Sequence, residues 1–228
     1  MNAFMLLTWR EWRRDRPIFL SLVAIVPVIA LLIVAQNMRD IRGDFTGKAL
    51  RMFLEMAVHF ALMLGVVFMP VLAAHAVAGE RADRSARFVA ALPVTRRCRL
   101  TAKVATLLGF VLMLWVPFLA WLVFQPPTHP PGPSGAFGVA ATLTLLTTAL
   151  AWLLAAWLDT VVVAAGAATF APLAVWLLLS TLPQLEWEDR KAFFELWLRS
   201  DYAPTLLTLL VAVGLFAAGT AIYLRRAE

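Results

Sequence analysis

The sequence predicts an all-α membrane protein with six transmembrane helices, an N-terminal interfacial helix and a cytoplasmic helix between spans two and three. Of the 228 residues, 62% are hydrophobic and 15% are charged. Soluble domains are about 45–50% apolar and about 25% charged, and one soluble core of this length could not bury so much apolar surface. Six segments are also apolar over the length of about 20 residues that a spanning helix needs.

The predicted spans form one transmembrane domain over residues 1–228. They cover residues 18–36, 52–78, 104–124, 136–158, 161–182 and 204–224. The second is long enough to tilt or to project past the bilayer. Only Asp159 and Thr160 separate the fourth from the fifth, which predicts a tight helical hairpin. The first apolar run is too long for the core of a signal peptide, so we expect it to be retained.

Two further segments mix aromatic and charged residues. Residues 1–17 combine Trp9 and Trp12 with several arginines, a pattern typical of a helix that lies in the membrane interface. Pro17 is expected to mark the turn into span one. Residues 185–202 have a similar mixture and predict an external amphipathic segment, with a plain connecting loop as the alternative.

The basic residues predict the orientation, because cytoplasmic connections carry an excess of Lys and Arg. The N-terminal segment, the connection after span two and the C-terminus together carry thirteen, whereas the opposite face carries seven. The richer face is therefore predicted to be cytoplasmic, with both termini on it. Cys98 falls in the basic connection and is expected to be a free, reduced thiol.

The connection of residues 79–103 carries the most functional information. It reads GERADRSARFVAALPVTRRCRLTAK. Gly79 would permit a sharp exit from span two, and a short helix would break near Pro93. Phe88, Val89 and Leu92 could dock on a partner while the arginines stay solvated, as in other exposed helices with a few apolar anchors.

This stretch resembles the coupling element of the ABC-2 type permeases, the membrane subunits of many ABC exporters. The matching residues are Glu80, the turn Leu92-Pro93-Val94-Thr95-Arg96, and Lys103 just before span three. The interfacial helix with Arg10-Glu11 and the six-span plan are also similar. The chain departs from the family at Arg84-Ser85, where Gly-Thr is common.

The resemblance implies a permease that pairs with a second permease chain and rests on two copies of a separate ABC ATP-binding subunit. Residues 79–103 would then be a coupling helix seated in that subunit, and ATP-driven closure of the two ATPase subunits would move the permease halves. The residues expected to contact the ATPase subunit are Glu80, Arg84, Phe88, Leu92, Pro93 and Arg96.

No enzymatic motif accompanies this pattern. Residues 43–49 approach a P-loop, but they have one residue too few between the glycines and Ala49 in place of the metal-binding hydroxyl. The sequence therefore predicts no catalytic residue, no metal site and no cofactor in this chain. ATP and Mg would belong to the partner subunit.

Two pairs of ionisable residues in span two are candidates for a functional role. His59 and His75 are sixteen residues apart, which places them on nearly opposite faces of a helix and disfavours a shared metal or haem. Glu55 and His59 lie one turn apart and could form a proton-linked or substrate-contacting pair, or an ordinary interfacial pair.

A substrate path is implied by the resemblance, because spans two and five of that family face the dimer axis. The candidates are Glu55, His59, Met63, Phe170 and Trp176, and the alternative is ordinary packing or contact with lipid. Two other functions stay open at this stage. One is a haem-exporter-like permease of cytochrome c maturation, and the other is a membrane scaffold or assembly protein. The substrate is not encoded in any linear motif.

Overall fold

The computed structural model describes residues 3–36, 45–82, 94–124, 136–181 and 203–226. The described residues form six α-helices and no strand. These are α1 (Ala3–Gln36), α2 (Phe45–Ala82), α3 (Arg96–Phe124), α4 (Ala136–Trp157), α5 (Val161–Thr181) and α6 (Ala203–Arg226). The all-α prediction is confirmed for this part of the chain.

Five of the described helices contain a stretch long and apolar enough to cross a membrane. The stretches are Phe4–Ile33, Met63–Arg81, Arg96–Val116, Ala140–Trp157 and Leu206–Arg226. α5 contributes a shorter apolar stretch, Val161–Pro172. These helices are compatible with a multi-pass membrane protein. α4 and α5 are separated only by residues 158–160, where the hairpin was predicted.

Three helix boundaries differ from the prediction. α1 continues through Pro17 without a break, so the interfacial segment and span one form one helix of 34 residues. Apolar surroundings tolerate a helical proline because neighbouring groups satisfy the carbonyl that it frees. Gly79 does not end span two, since α2 is helical to Ala82. A methyl group at Gly79 would lie 3.0 Å from the ring of His75, so the glycine makes room for that side chain.

The third difference is that α3 begins eight residues before the predicted start of its span. Thr95 caps the helix, because its Oγ1 accepts a hydrogen bond of 3.3 Å from the backbone N–H of Cys98. The Arg99 N–H donates to the Thr95 carbonyl at 3.2 Å, which closes the first turn. The basic residues from Arg96 to Lys103 are thus one rigid helical extension of span three.

The chain divides into two compact units. Unit 1 comprises Met1–Phe68 and Pro93–Pro130, and unit 2 comprises Met69–Leu92 and Pro131–Glu228. In unit 1, α1 packs on α3, and in unit 2, α4 packs on both α5 and α6. α2 runs through both units, and Pro70, beside the division, interrupts its backbone hydrogen bonding.

The contact between α4 and α6 is the closest in unit 2. Trp152 is fully buried, and its ring stacks on Phe216 with 4.8 Å between the ring centroids. Gly219 lets the α4 backbone approach, because a Cβ at this position would lie 2.8 Å from the Leu153 Cα. In a membrane the lipid is as apolar as the helix surfaces, so the hydrophobic effect does not drive helices together. Helices there usually associate by close approach through small residues.

Candidate functional site

Four charged side chains form a buried cluster where α1 meets α3 in unit 1. Glu11, Asp15 and Lys103 are each at most 3% exposed. The Arg14 Nη2 lies 2.7 Å from the Glu11 Oε2, and the Arg14 Nε lies 3.0 Å from the Asp15 Oδ1. The Lys103 Nζ approaches the Glu11 Oε2 from α3 at 3.7 Å. We call Glu11, Arg14, Asp15 and Lys103 the charge cluster.

The helix geometry explains why the charge cluster needs both of its cations. Glu11 and Asp15 are one turn apart on the same face of α1, where two like charges repel. Buried charges are tolerated only when they are paired, because desolvation costs several kcal/mol per ion. Arg14 bridges the two carboxylates within α1, and Lys103 adds the second positive charge. The cluster is formally neutral and fastens the basic start of α3 to the first turns of α1.

Three aromatic rings continue this contact beyond the charge cluster. Trp12 stacks on Phe110 with 5.0 Å between ring centroids, and Phe19 lies 4.7 Å from Phe110. Glu11 meets Lys103, and eight residues later along α1 Phe19 meets Phe110, seven residues after Lys103. These contacts fasten residues 11–19 of α1 to residues 103–110 of α3.

The ends of α2, α4 and α6 meet at a second polar cluster, in unit 2. Arg81 at the end of α2 forms an ion pair with Asp159, and its Nη2 donates to the Ala155 carbonyl at 3.0 Å. Arg226 at the end of α6 donates to the Trp157 carbonyl at 2.5 Å. We call Arg81, Asp159 and Arg226 the helix-end cluster.

The helix-end cluster satisfies groups that a helix end leaves unbonded. The last carbonyls of α4 have no partner within the helix and carry partial negative charge. Two arginines from other helices supply the hydrogen bonds and the opposite charge. Since α2, α4 and α6 all end here, even-numbered spans end together, as an alternating topology requires.

The predicted contacts with an ATPase subunit are only partly within the described residues. Glu80 is 7% exposed and lies in the last turns of α2, beside Arg81. Arg96 is exposed and begins α3. Arg84, Phe88, Leu92 and Pro93 lie outside the described residues. Glu80 is therefore buried within unit 2, whereas Arg96 has its side chain on the surface.

The predicted substrate path is not tested by the described side chains. Met63 on α2 and Phe170 on α5 are both exposed, at 65% and 71%. The side chains of Glu55, His59 and Trp176 lie outside those described, although their backbones belong to α2 and α5. The described residues include no group of three His, Cys, Asp or Glu side chains suited to a metal ion.

The sequence prediction named Glu11 and Lys103 separately and did not pair them. It used Arg14 only as one of the basic residues that predict the orientation, and it gave no role to Asp15. The sequence does contain a pattern that indicates a buried ion pair. Glu11 and Asp15 are acidic residues at i and i+4 with a cation, Arg14, at i+3, which is unusual in an interfacial helix and requires a partner when buried. The partner of Glu11, Lys103, is 92 positions away along the chain, and the pairing depends on the packing of α1 against α3.

Comparison with known proteins gives no relative from which to transfer a role. No protein-family model matches the chain, and no curated protein matches it. The similarity to ABC-2 type permeases therefore stays a prediction made on the motif of residues 79–103.

Proposed function

We propose that this chain is the membrane-spanning permease subunit of an ATP-driven ABC transporter of the ABC-2 class. In this proposal it exports its substrate by alternating access and pairs with a second permease chain. Two copies of a separate ATP-binding subunit bind ATP and Mg and hydrolyse the nucleotide. The complex sits in a bacterial-type plasma membrane, with both termini of this chain in the cytoplasm.

One observation supports this proposal best: residues 83–93, the central part of the connection, are flanked on both sides by charged residues that are paired within a compact unit. Before it, Arg81 is bonded to the end of α4 and to Asp159 within unit 2. After it, Lys103 is 1% exposed and pairs with Glu11 within unit 1. A partner that displaces residues 83–93 would therefore pull on both compact units, which is the mechanical property that a coupling helix needs.

The multi-pass architecture is a second support. Five apolar helices long enough to span a membrane are compatible with a permease. Several charged residues lie near helix ends: Arg81 and Arg226 end α2 and α6 in unit 2, and Arg96–Lys103 precede the apolar part of α3. A transported molecule needs such a body, but the body alone does not distinguish a permease from a scaffold.

The proposal is tested by co-purification of this chain with its partners in nanodiscs, followed by an ATPase assay. Phe88→Asp and Leu92→Asp are expected to detach an ATP-binding subunit that the wild-type chain retains, because each places a charge on the apolar docking face. Thr160→Asp is the matched control, since Thr160 is exposed in the α4–α5 turn, which is predicted to lie on the same face of the membrane.

Retention of the ATPase subunit by both docking variants would move the contact elsewhere on the chain. Recovery of no ATP-binding subunit with the wild-type chain under gentle conditions would overturn the transporter proposal. A scaffold or assembly role would then be the better hypothesis.

A further inference from the structure

An open groove lies between the first turns of α1 and the middle of α3 in unit 1, beside the charge cluster. Its volume is about 440 Å³. It is lined by Phe4, Met5, Thr8, Trp9 and Trp12 from α1 and by Ala105, Thr106, Gly109 and Met113 from α3. Met5, Trp9 and Met113 are exposed, so the groove opens outward from the chain.

The polar groups around the groove are already engaged. The Thr8 hydroxyl donates to the Phe4 carbonyl at 2.9 Å, and the Thr106 hydroxyl donates to the Ala102 carbonyl at 3.0 Å. Both bonds stay within the threonine's own helix. The charges beside the groove are neutralised by one another within the charge cluster. The groove thus presents mainly hydrocarbon and aromatic surface, which suits an apolar occupant.

The position of the α3 wall identifies the source of that occupant. Ala105, Thr106, Gly109 and Met113 all fall within Arg96–Val116, a stretch apolar and long enough to cross a membrane. A bilayer offers hydrocarbon chains at this depth. We propose that the groove holds one acyl chain of a bilayer phospholipid. This inference requires that the chain sits in a membrane, and it does not depend on the transporter proposal.

The shape of the groove would give the bound acyl chain a longer residence time than the surrounding lipid chains have on the protein surface. Burial alone gives no preference, because the surrounding lipid is as apolar as the groove. Gly109 leaves the α3 wall concave, since a Cβ built there meets nothing within 4 Å. Met5 and Met113 are unbranched thioethers that can adapt to a flexible chain. The rigid ring of Trp12, stacked on Phe110, forms the opposite surface.

Gly109→Leu fills the groove without a backbone clash and is the diagnostic variant. Gly214→Leu on α6 is its matched control, because a Cβ at Gly214 also meets nothing within 4 Å and the residue lies in unit 2. The full chain is reconstituted with a phosphatidylcholine that carries a photoreactive diazirine on one acyl chain. Adducts are then mapped by mass spectrometry after proteolysis.

We expect wild-type adducts to concentrate on residues 4–12 and 105–113. Gly109→Leu should lower them by about tenfold, the equivalent of one decade of affinity, while Gly214→Leu leaves them unchanged. Adducts spread evenly over the other exposed apolar faces, or no loss in Gly109→Leu, would overturn the proposal. A photoreactive residue at position 113 that captures a second copy of the chain in place of lipid would do the same.

Discussion

Gly219→Ala tests how the α4–α6 contact stabilises unit 2. The added Cβ would lie 2.7 Å from the Trp152 Cδ1, 2.8 Å from the Leu153 Cα and 3.0 Å from the Leu153 N. Two of these three atoms belong to the backbone, so a change of side-chain rotamer cannot remove their clashes with the added Cβ. Trp152 cannot rotate away easily, because it is fully buried and stacked on Phe216. The helices must therefore separate.

The change in the free energy of unfolding in Gly219→Ala is a balance of two effects. Overpacking of a tight contact costs about 1–3 kcal/mol. Replacement of a helical glycine by alanine recovers about 0.5–1 kcal/mol of backbone entropy and propensity. The clash should prevail, with a net loss of about 1–2 kcal/mol. Gly214→Ala lies five residues earlier on the same helix and has open space at its Cβ, so it should be neutral or slightly stabilising.

The assay is reversible unfolding in mixed micelles with increasing SDS, followed by tryptophan fluorescence. Gly219→Ala should unfold at a lower SDS fraction than the wild-type chain, and Gly214→Ala at the same fraction or a higher one. If Gly219→Ala were as stable as Gly214→Ala, the contact between α4 and α6 would be looser than described. The reasoning from close approach would then be refuted.

The remaining predictions concern helix ends and buried charge. Lys103→Met alone should lower the free energy of unfolding by about 3 kcal/mol, because it leaves a net buried negative charge. Adding Glu11→Leu should restore most of this stability. Equal stability of the wild-type chain and Lys103→Met in SDS unfolding would contradict the buried pairing. Arg226→Gln should destabilise the chain by about 1 kcal/mol through loss of its bonds to the end of α4, whereas a neutral result would mean that the exposed pairing contributes nothing. Thr95→Ala should cost about 1 kcal/mol as a lost helix cap and Thr95→Ser much less, measured in the same way. Cys98 should react with a membrane-impermeant maleimide only after the cells are permeabilised, and labelling of intact cells would reverse the predicted orientation.

Hydrophobic length predicted the helices well, because a spanning segment must be apolar over nearly its whole length whatever it packs against. The α4–α5 break at residues 158–160 was equally visible, since Asp159 and Thr160 interrupt an apolar run that is too long for one span. The local rules by which proline and glycine mark helix ends predicted the boundaries less well. Pro17 and Gly79 both lie inside helices, because continuous helical packing outweighs the local preference for a break.

The pairing within the charge cluster, unlike the spans, does not follow from the sequence pattern alone. Its two acids are visible as an i, i+4 pair, but which cation meets them depends on the packing of α1 against α3. The basic start of α3 offers Arg96, Arg97, Arg99 and Lys103, and only helical phase against α1 selects Lys103, at 3.7 Å from Glu11. The groove also depends on the packing of α1 against α3. Gly109 contributes to a concave surface only when Trp12 of α1 stacks on Phe110 of α3.

The two polar clusters flank residues 83–93, the segment between α2 and the start of α3. The last described residue before the connection is Ala82, one position after Arg81, and the first after it is Val94, two positions before the basic start of α3. Arg81 is tied to α4 through the helix-end cluster, and Lys103 is tied to α1 through the charge cluster. A displacement of the connection must therefore strain one of these clusters or move the helices attached to it. Because the charge cluster is buried and the helix-end cluster is partly exposed, the pairing of Glu11 with Lys103 should resist more strongly than the pairing of Arg81 with Asp159. We therefore expect the contact of α1 with α3 to persist under conditions that already break the pairing of Arg81 with Asp159.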